Sequence, residues 1–231
     1  MEKLSELSVF FPAYNEEKNI KNTVERAAEI LPQIASKYEI IIVDDGSTDK
    51  TGKIADEITG EDKFIRVVHH HPNKGYGAAL KSGFLNSRYS WVAFTDADGQ
   101  FDFSEIKKFL PFIDKADLIL GYRIKRADSI LRRFGAFVWF LIARILFGLD
   151  VKDYSCGFKL IKRRVFEAVQ PLEAEEKITQ IEILIKAKRQ GFKFAEVGVS
   201  HYPRKFGQQT GANLKVILRS IIDLFGLWRK L

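Results

Sequence analysis

The residues Asp96-Ala97-Asp98-Gly99-Gln100 set two carboxylates one residue apart, with a side-chain amide two positions further on. They follow the apolar run Trp91-Val92-Ala93-Phe94-Thr95, so acids and amide are delivered at the carboxyl end of a predicted buried strand. Hard oxygen donors on one side of a turn suit Mg2+ or Mn2+, which keep some water and share a site with substrate phosphates. The expected metal ligands are Asp96, Asp98 and Gln100. The same letters also spell an ordinary solvated turn, and the motif alone does not separate the two readings.

Further groups stand at comparable places. Asp44-Asp45-Gly46-Ser47-Thr48-Asp49 follows a nearly pure Ile/Val run, where the acids could equally form a helix N-cap region. Lys74, between Asn73 and Gly75, with Gly77 beyond, offers a charge and a close backbone approach to phosphates, or a plain turn. His69-His70-His71 is a poor metal site, because neighbours on a strand face opposite ways and the carboxylates suit a hard cation better. The single cysteine, Cys156, excludes an intramolecular disulfide and a multi-cysteine zinc site, and reads as a small buried residue in a reducing compartment.

These groups need elements to hold them. Strands are predicted over Leu7 to Phe11, stopped by Pro12, then Glu39 to Val43, Phe64 to His70, Trp91 to Thr95 and Leu118 to Gly121. Helices are predicted over Asn15 to Ser36, Lys50 to Ile58, Tyr76 to Asn86 and Ser104 to Ile113. A basic loop, Tyr122 to Asp128, carries Arg123, Lys125 and Arg126. The continuous apolar strands imply a sheet covered on both faces, and the alternation implies an α/β, Rossmann-like, doubly wound and mostly parallel sheet. Ligands of such sheets sit outside the carboxyl ends of the strands, where the polar loops at Pro12 to Glu16, Asp44 to Asp49, Asn73 to Gly77 and Asp96 to Gln100 converge.

The 231 residues, 46% hydrophobic and 29% charged, suffice for one domain over 1–231, with a first half to 122 and an elaboration over 123–231. The amino terminus shows no secretory signal, which predicts a cytoplasmic protein. A net charge of +7 favours an anionic partner, and no nucleic-acid motif accompanies it.

Two segments are unusually apolar. Residues 130–149 include Phe134, Phe137, Trp139 and Phe140, but only ten uncharged residues separate Arg133 from Arg144, short of the roughly 20 that span a bilayer. Residues 213–231 set Lys215, Arg219 and Asp223 on a narrow polar stripe among apolar residues, ending in Trp228-Arg229-Lys230. Both suit helices lying in a membrane interface, and core packing or a dimer contact is the alternative.

Pro12-Ala13-Tyr14-Asn15-Glu16, Val43-Asp44-Asp45-Gly46-Ser47-Thr48-Asp49-Lys50-Thr51, Asn73-Lys74-Gly75-Tyr76-Gly77 and Asp96-Ala97-Asp98-Gly99-Gln100 occur in order. With these motifs the chain resembles the family 2 glycosyltransferases of GT-A fold. Gly121-Tyr122-Arg123, the run from Asp153 to Lys159 and His201-Tyr202-Pro203-Arg204 resemble the polyprenyl-phosphate branch, typified by dolichol-phosphate mannose synthase.

The resemblance implies that Pro12, Ala13, Tyr14, Glu16, Val43, Asp44, Asp45 and Lys74 hold the nucleotide sugar, with Asp96 and Ala97 lining sugar and ribose. It implies that Asp98 and Gln100 hold the metal on the diphosphate, where a Lewis acid offsets charge on the leaving group. Arg123, Arg132, Arg133, Arg204 and Lys205 would hold the acceptor phosphate, with Asp98, Arg123 and Arg204 closest to the chemistry. A lipid phosphate is largely ionised at neutral pH and needs positioning rather than a base. The implied reaction is an inverting transfer of a hexose from GDP-mannose, with UDP-glucose or UDP-GlcNAc as other donors, to dolichyl or polyprenyl phosphate.

The expected place is peripheral, on the cytoplasmic face of a membrane, with a membrane-protein partner possible. The chain departs from the branch at Phe101-Asp102-Phe103 and at Phe206-Gly207-Gln208-Gln209-Thr210-Gly211, and has no transmembrane tail. Two rivals stand beside this reading. A transferase acting on a sugar hydroxyl would need a base, for which Glu182 is the candidate, and an inactive sugar-nucleotide-binding subunit would need none.

Overall fold

The computed structural model describes residues 3–124, 141, 144–174, 178–207 and 226–229. Its first half is three strand–helix steps and a fourth strand: β1 (Leu4–Ala13), α1 (Ile20–Ile34), β2 (Ala35–Asp44), α2 (Thr51–Glu61), β3 (Ile65–His69), α3 (Tyr76–Asn86) and β4 (Trp91–Phe94). Then come two short 3-10 helices, Phe103–Lys108 and Leu110–Phe112, and β5 (Leu118–Arg123). The chain returns as β6 (Lys159–Lys162), α4 (Arg163–Ala168), α5 (Ile178–Arg189) and β7 (Phe194–Val199).

One seven-stranded sheet runs through both halves in the order β3-β2-β1-β4-β6-β5-β7. Only β6 is antiparallel to its neighbours; the other pairings are parallel. The continuous apolar runs are explained by cover on both faces. Phe11, Ile40 and Ile42 pack on one side with Leu31, Phe103 and Phe158, while Phe10, Ile41 and Val43 pack on the other with Phe84, Phe94 and Leu184.

Two differences from expectation have local causes. Pro12 does not stop β1, which pairs with β2 as far as Ala13 opposite Asp44. The β4 side of β1 is already open there, since that ladder ends at Phe10 opposite Phe94 and the Thr95 N–H caps the Phe10 carbonyl. Alternate residues of a strand point their amides to the same side, so the N–H that Pro12 lacks would have faced this gap.

The expected helix over Ser104 to Ile113 is instead the two 3-10 helices. Phe103, Ile106 and Phe109 are buried at a spacing of three, which aligns on a three-residue turn rather than a 3.6-residue one. Finally, Tyr122 and Arg123 extend β5 instead of opening a loop, and Ser36 belongs to β2 rather than α1.

Candidate active site

Strand order places β1 between β2 and β4, and the helices leading into those two strands, α1 and α3, lie on opposite faces, so that the polar loops meet at the carboxyl ends of these strands. The β1 and β2 loops are interlocked. Asn15, at a positive φ of 56°, receives the Thr48 N–H on its side chain at 2.8 Å, and the Glu16 N–H donates to Thr51 Oγ1 at 2.7 Å. At Gly46 a side chain would lie 2.5 Å from the Asn73 nitrogen, so only glycine lets the 73–75 loop close over the β2 loop.

The cleft between them is lined by Pro12, Tyr14, Glu16, Tyr76, Asp96, Ala97, Asp98, Ser155, Gln180 and Arg204. Seven of these are residues that the sequence marks for the site: Pro12, Tyr14, Glu16, Asp96, Ala97, Asp98 and Arg204. Their environments differ. Burial and the neighbouring Asp96 push the Asp98 carboxyl up to about 7, against the pull of the Gln100 N–H, 3.0 Å away, and of Arg204. Burial also raises Glu16, although Asn19 Nδ2 donates to it at 2.7 Å and the Arg204 guanidinium pairs with it. Arg204 Nη1 lies 3.6 Å from Asp98 Oδ2, so one guanidinium spans both acids.

The donor set suits a hard dication. Two carboxylates share one turn, and a cation between them would relieve the repulsion that raises Asp98. Gln100 donates its Nε2 to the Tyr202 carbonyl at 2.9 Å, which leaves Oε1 as its ligating atom. Among the described residues no three His, Cys, Asp or Glu side chains converge on one point, so substrate oxygens would complete the shell.

Other expected residues stand behind the cleft. Ala13 closes β1, buried, and Val43 lies in the core on the α3 side of the sheet. Asp44 is buried at the end of β2, its carboxylate accepting from the Ser47 N–H at 3.1 Å and lying 2.8 Å from His69 Nδ1. Asp45 accepts from the Lys74 and Gly75 N–H groups and from Asn73 Nδ2, and meets His70 Nδ1 at 2.7 Å. It latches the 73–75 loop. The Lys74 side chain itself is exposed, as is Lys205.

Arg123, at the end of β5, forks onto Asp153 at 2.7 and 3.0 Å and reaches Ser155 Oγ at 2.8 Å, on the cleft wall. Arg132 and Arg133 lie outside the described residues, as does most of both apolar segments. Among the described residues no helix is long and apolar enough to cross a membrane.

Tyr76, Ser155 and Gln180 complete the cleft without having been singled out. The available signal was chemical misfit: Gln180 interrupts an isoleucine-rich helix, and Tyr76 opens α3 between two glycines. Glu182, the candidate base, is wholly buried outside the cleft. Its oxygens accept from the Glu173 and Ala174 N–H groups at 3.1 and 2.7 Å, and Lys186 pairs with it at 2.7 Å.

Known proteins resemble this chain in sequence and in fold. The chain is 33% identical over 214 residues to a dolichyl-phosphate beta-glucosyltransferase of Dictyostelium discoideum, covering 84% of this chain and 65% of that one. It is 30% identical over 233 residues to a polyprenol monophosphomannose synthase of Mycolicibacterium smegmatis, covering 93% and 85%. Against several curated relatives the chain spans only 33% to 66% of their own length.

A glucosyl-3-phosphoglycerate synthase of Mycobacterium tuberculosis, solved with Mn2+, UDP and glucosyl-3-phosphoglycerate, superposes with a TM-score of 0.76 at 21% identity, covering 97% of this chain and 80% of that one. That likeness confirms the GT-A fold. The family model for glycosyl transferase family 2 matches residues 8–170, and with the interlocked loops and paired acids in place, the chain belongs to that family.

Proposed function

We propose that the chain is an inverting hexosyltransferase that moves a sugar from a nucleoside diphosphate to a dolichyl or polyprenyl phosphate. The observation that carries the acceptor class is the absence of an available base. Among the described residues the cleft carboxylates are Glu16, Asp96 and Asp98, and Glu16 is paired with Arg204. Asp96 and Asp98 would give up their basicity to a cation in the acidic turn. Glu182 is buried and saturated by backbone donors. Among the described residues a hydroxyl acceptor would find no proton acceptor, whereas a phosphate monoester arrives largely ionised. The names of the relatives from D. discoideum and M. smegmatis point to the same class.

Pro12, Tyr14 and Ala97 form the wall for the nucleoside and sugar, backed by Asp44 and Val43, while the Asp45 latch sets the loop that carries Lys74. Asp96, Asp98 and Gln100 would hold Mg2+ or Mn2+, which when bound offsets negative charge on the departing diphosphate. Arg123 and Arg204 flank the cleft, paired with Asp153 and with Glu16, and would hold the acceptor phosphate by exchanging part of that pairing for its oxygens, with Lys205, Arg132 and Arg133 adding positive charge. GDP-mannose is the favoured donor, from the resemblance to the mannose synthase branch, and UDP-glucose and UDP-GlcNAc are its competitors. The protein works at the cytoplasmic membrane surface, reached through the apolar segments or a membrane-protein partner.

The test is transfer of labelled sugar from a panel of GDP- and UDP-sugars to polyprenyl phosphate in detergent, with Mg2+ or Mn2+. Label should enter an organic-extractable product with one donor and be lost with Asp98→Ala. In the same assay Glu182→Gln should keep transfer within a few-fold while lowering the melting temperature, since an amide nitrogen would oppose a backbone N–H. Near-complete loss of transfer in a folded Glu182→Gln protein would favour a hydroxyl acceptor instead.

A further inference from the structure

Behind the cleft lies a buried charge that the proposed chemistry does not use. Lys159 opens β6 opposite Phe94, the last residue of β4, and its side chain is 1% exposed. Its ammonium donates to the Tyr154 carbonyl at 3.1 Å, to the Cys156 carbonyl and to Gln180 Oε1, so its three protons meet three acceptors. From Gln180 the chain of contacts continues: Nε2 donates to Tyr76 Oη at 2.8 Å, and Tyr76 Oη donates to Asp96 Oδ1 at 2.9 Å. On its other side Asp96 packs so tightly against Gly157 that a side chain there would collide with the carboxylate.

The direction of this chain is fixed from its buried end. A lysine only donates, so the Gln180 carbonyl must face it and the Gln180 amide must point to Tyr76. Tyr76, having accepted that proton, has a single proton of its own, and Asp96 is the group left to receive it. We propose that Lys159, Gln180 and Tyr76 are positioning residues that orient Asp96, with Lys159 setting the polarity of the relay. Asp96 is thereby aimed at the cation and sugar, without Lys159 or Gln180 having to touch either. The inference rests on Asp96 belonging to the donor site, as proposed above.

Gln180→Glu is the discriminating variant, because it keeps shape and gives Lys159 a countercharge but replaces the amide donor with an acceptor. The Tyr76 proton then turns to residue 180 and leaves Asp96. The readouts are calorimetric binding of Mn2+ with UDP or with GDP, which needs no acceptor lipid, and the melting temperature. Gln180→Glu should melt at or above the native temperature yet bind Mn2+ and nucleotide about tenfold more weakly, the worth of one hydrogen bond to a charged group.

Tyr76→Phe should lose a similar factor, and the double variant should be no weaker than Tyr76→Phe alone. Lys159→Met, with the Gln180 amide free to turn over, should lose affinity as well as stability. Native affinity in Gln180→Glu, or additive losses in the double variant, would overturn the relay. Full affinity in a folded Lys159→Met would remove Lys159 from it. If the unaltered protein binds Mn2+ with neither nucleotide, the donor-site reading fails and takes the relay with it.

Discussion

Asp98 is an acid whose value in the folded protein, about 7, lies above its ordinary 3.8 because it is buried beside Asp96. Such a group favours the protonated native state, so its ionisation subtracts stability as pH rises from about 4 to about 7. A dication in the acidic turn restores what is lost, and below about 7 it must first displace a proton. Mn2+ affinity should therefore fall by up to about tenfold per pH unit below 7 and level off above it. Thermal shifts with Mn2+ at pH 6, 7 and 8 check this, and a shift that ignores pH would remove Asp98 from the ligand set. The acidic turn was legible in the sequence because three donors lie within five letters. Gln180 and Lys159 were not, because their partners are brought to them by β6 and α5 from far along the chain.

At the scale of elements, the end of the sheet opposite the cleft is tied by one buried acid. Glu39, on β2, accepts from Ser8 Oγ on β1 and from the Arg88 N–H before β4, both at 2.7 Å, and from Arg66 Nε on β3 at 3.1 Å. Glu39→Ala should cost about 3 kcal/mol of stability by orphaning these donors, while leaving Mn2+ and nucleotide affinity unchanged. Chemical denaturation beside calorimetry separates the two effects. Strands β1, β2 and β4 were readable because burial on both faces leaves the apolar runs Val9–Phe11, Ile40–Val43 and Trp91–Phe94. The 3-10 pair was misread since a spacing of three and a spacing of 3.6 look alike over ten residues. The path of β1 through Pro12 depends on where β4 stops, which no local pattern records.

For the molecule as a whole, the charge of +7 acts together with apolar groups that stay exposed, among them Ile124, Tyr202 and Phe206, which follow the strands and turns that border the cleft. Ile145 and Trp228, in the described parts of the two apolar segments, are exposed as well. A surface of this kind should bind vesicles containing anionic lipid and release them as salt screens the attraction. Co-sedimentation with neutral and anionic vesicles at low and high salt measures it; equal binding to both would leave charge without a part in membrane contact.

The antiparallel β6 carries a consequence for how the protein is made. Strand β4 receives β1 on one side from residues already synthesised, but its other neighbour, at Lys159–Lys162, emerges from the ribosome some 65 residues later. Until then Trp91–Phe94 is an unpaired apolar edge, the kind of surface that recruits other chains. The wall bearing Ser155 and the Lys159 anchor arrive with the same late segment. The nascent chain therefore covers this edge and gains one wall of the cleft in the same late step, with Gln180 and Arg204 still to follow.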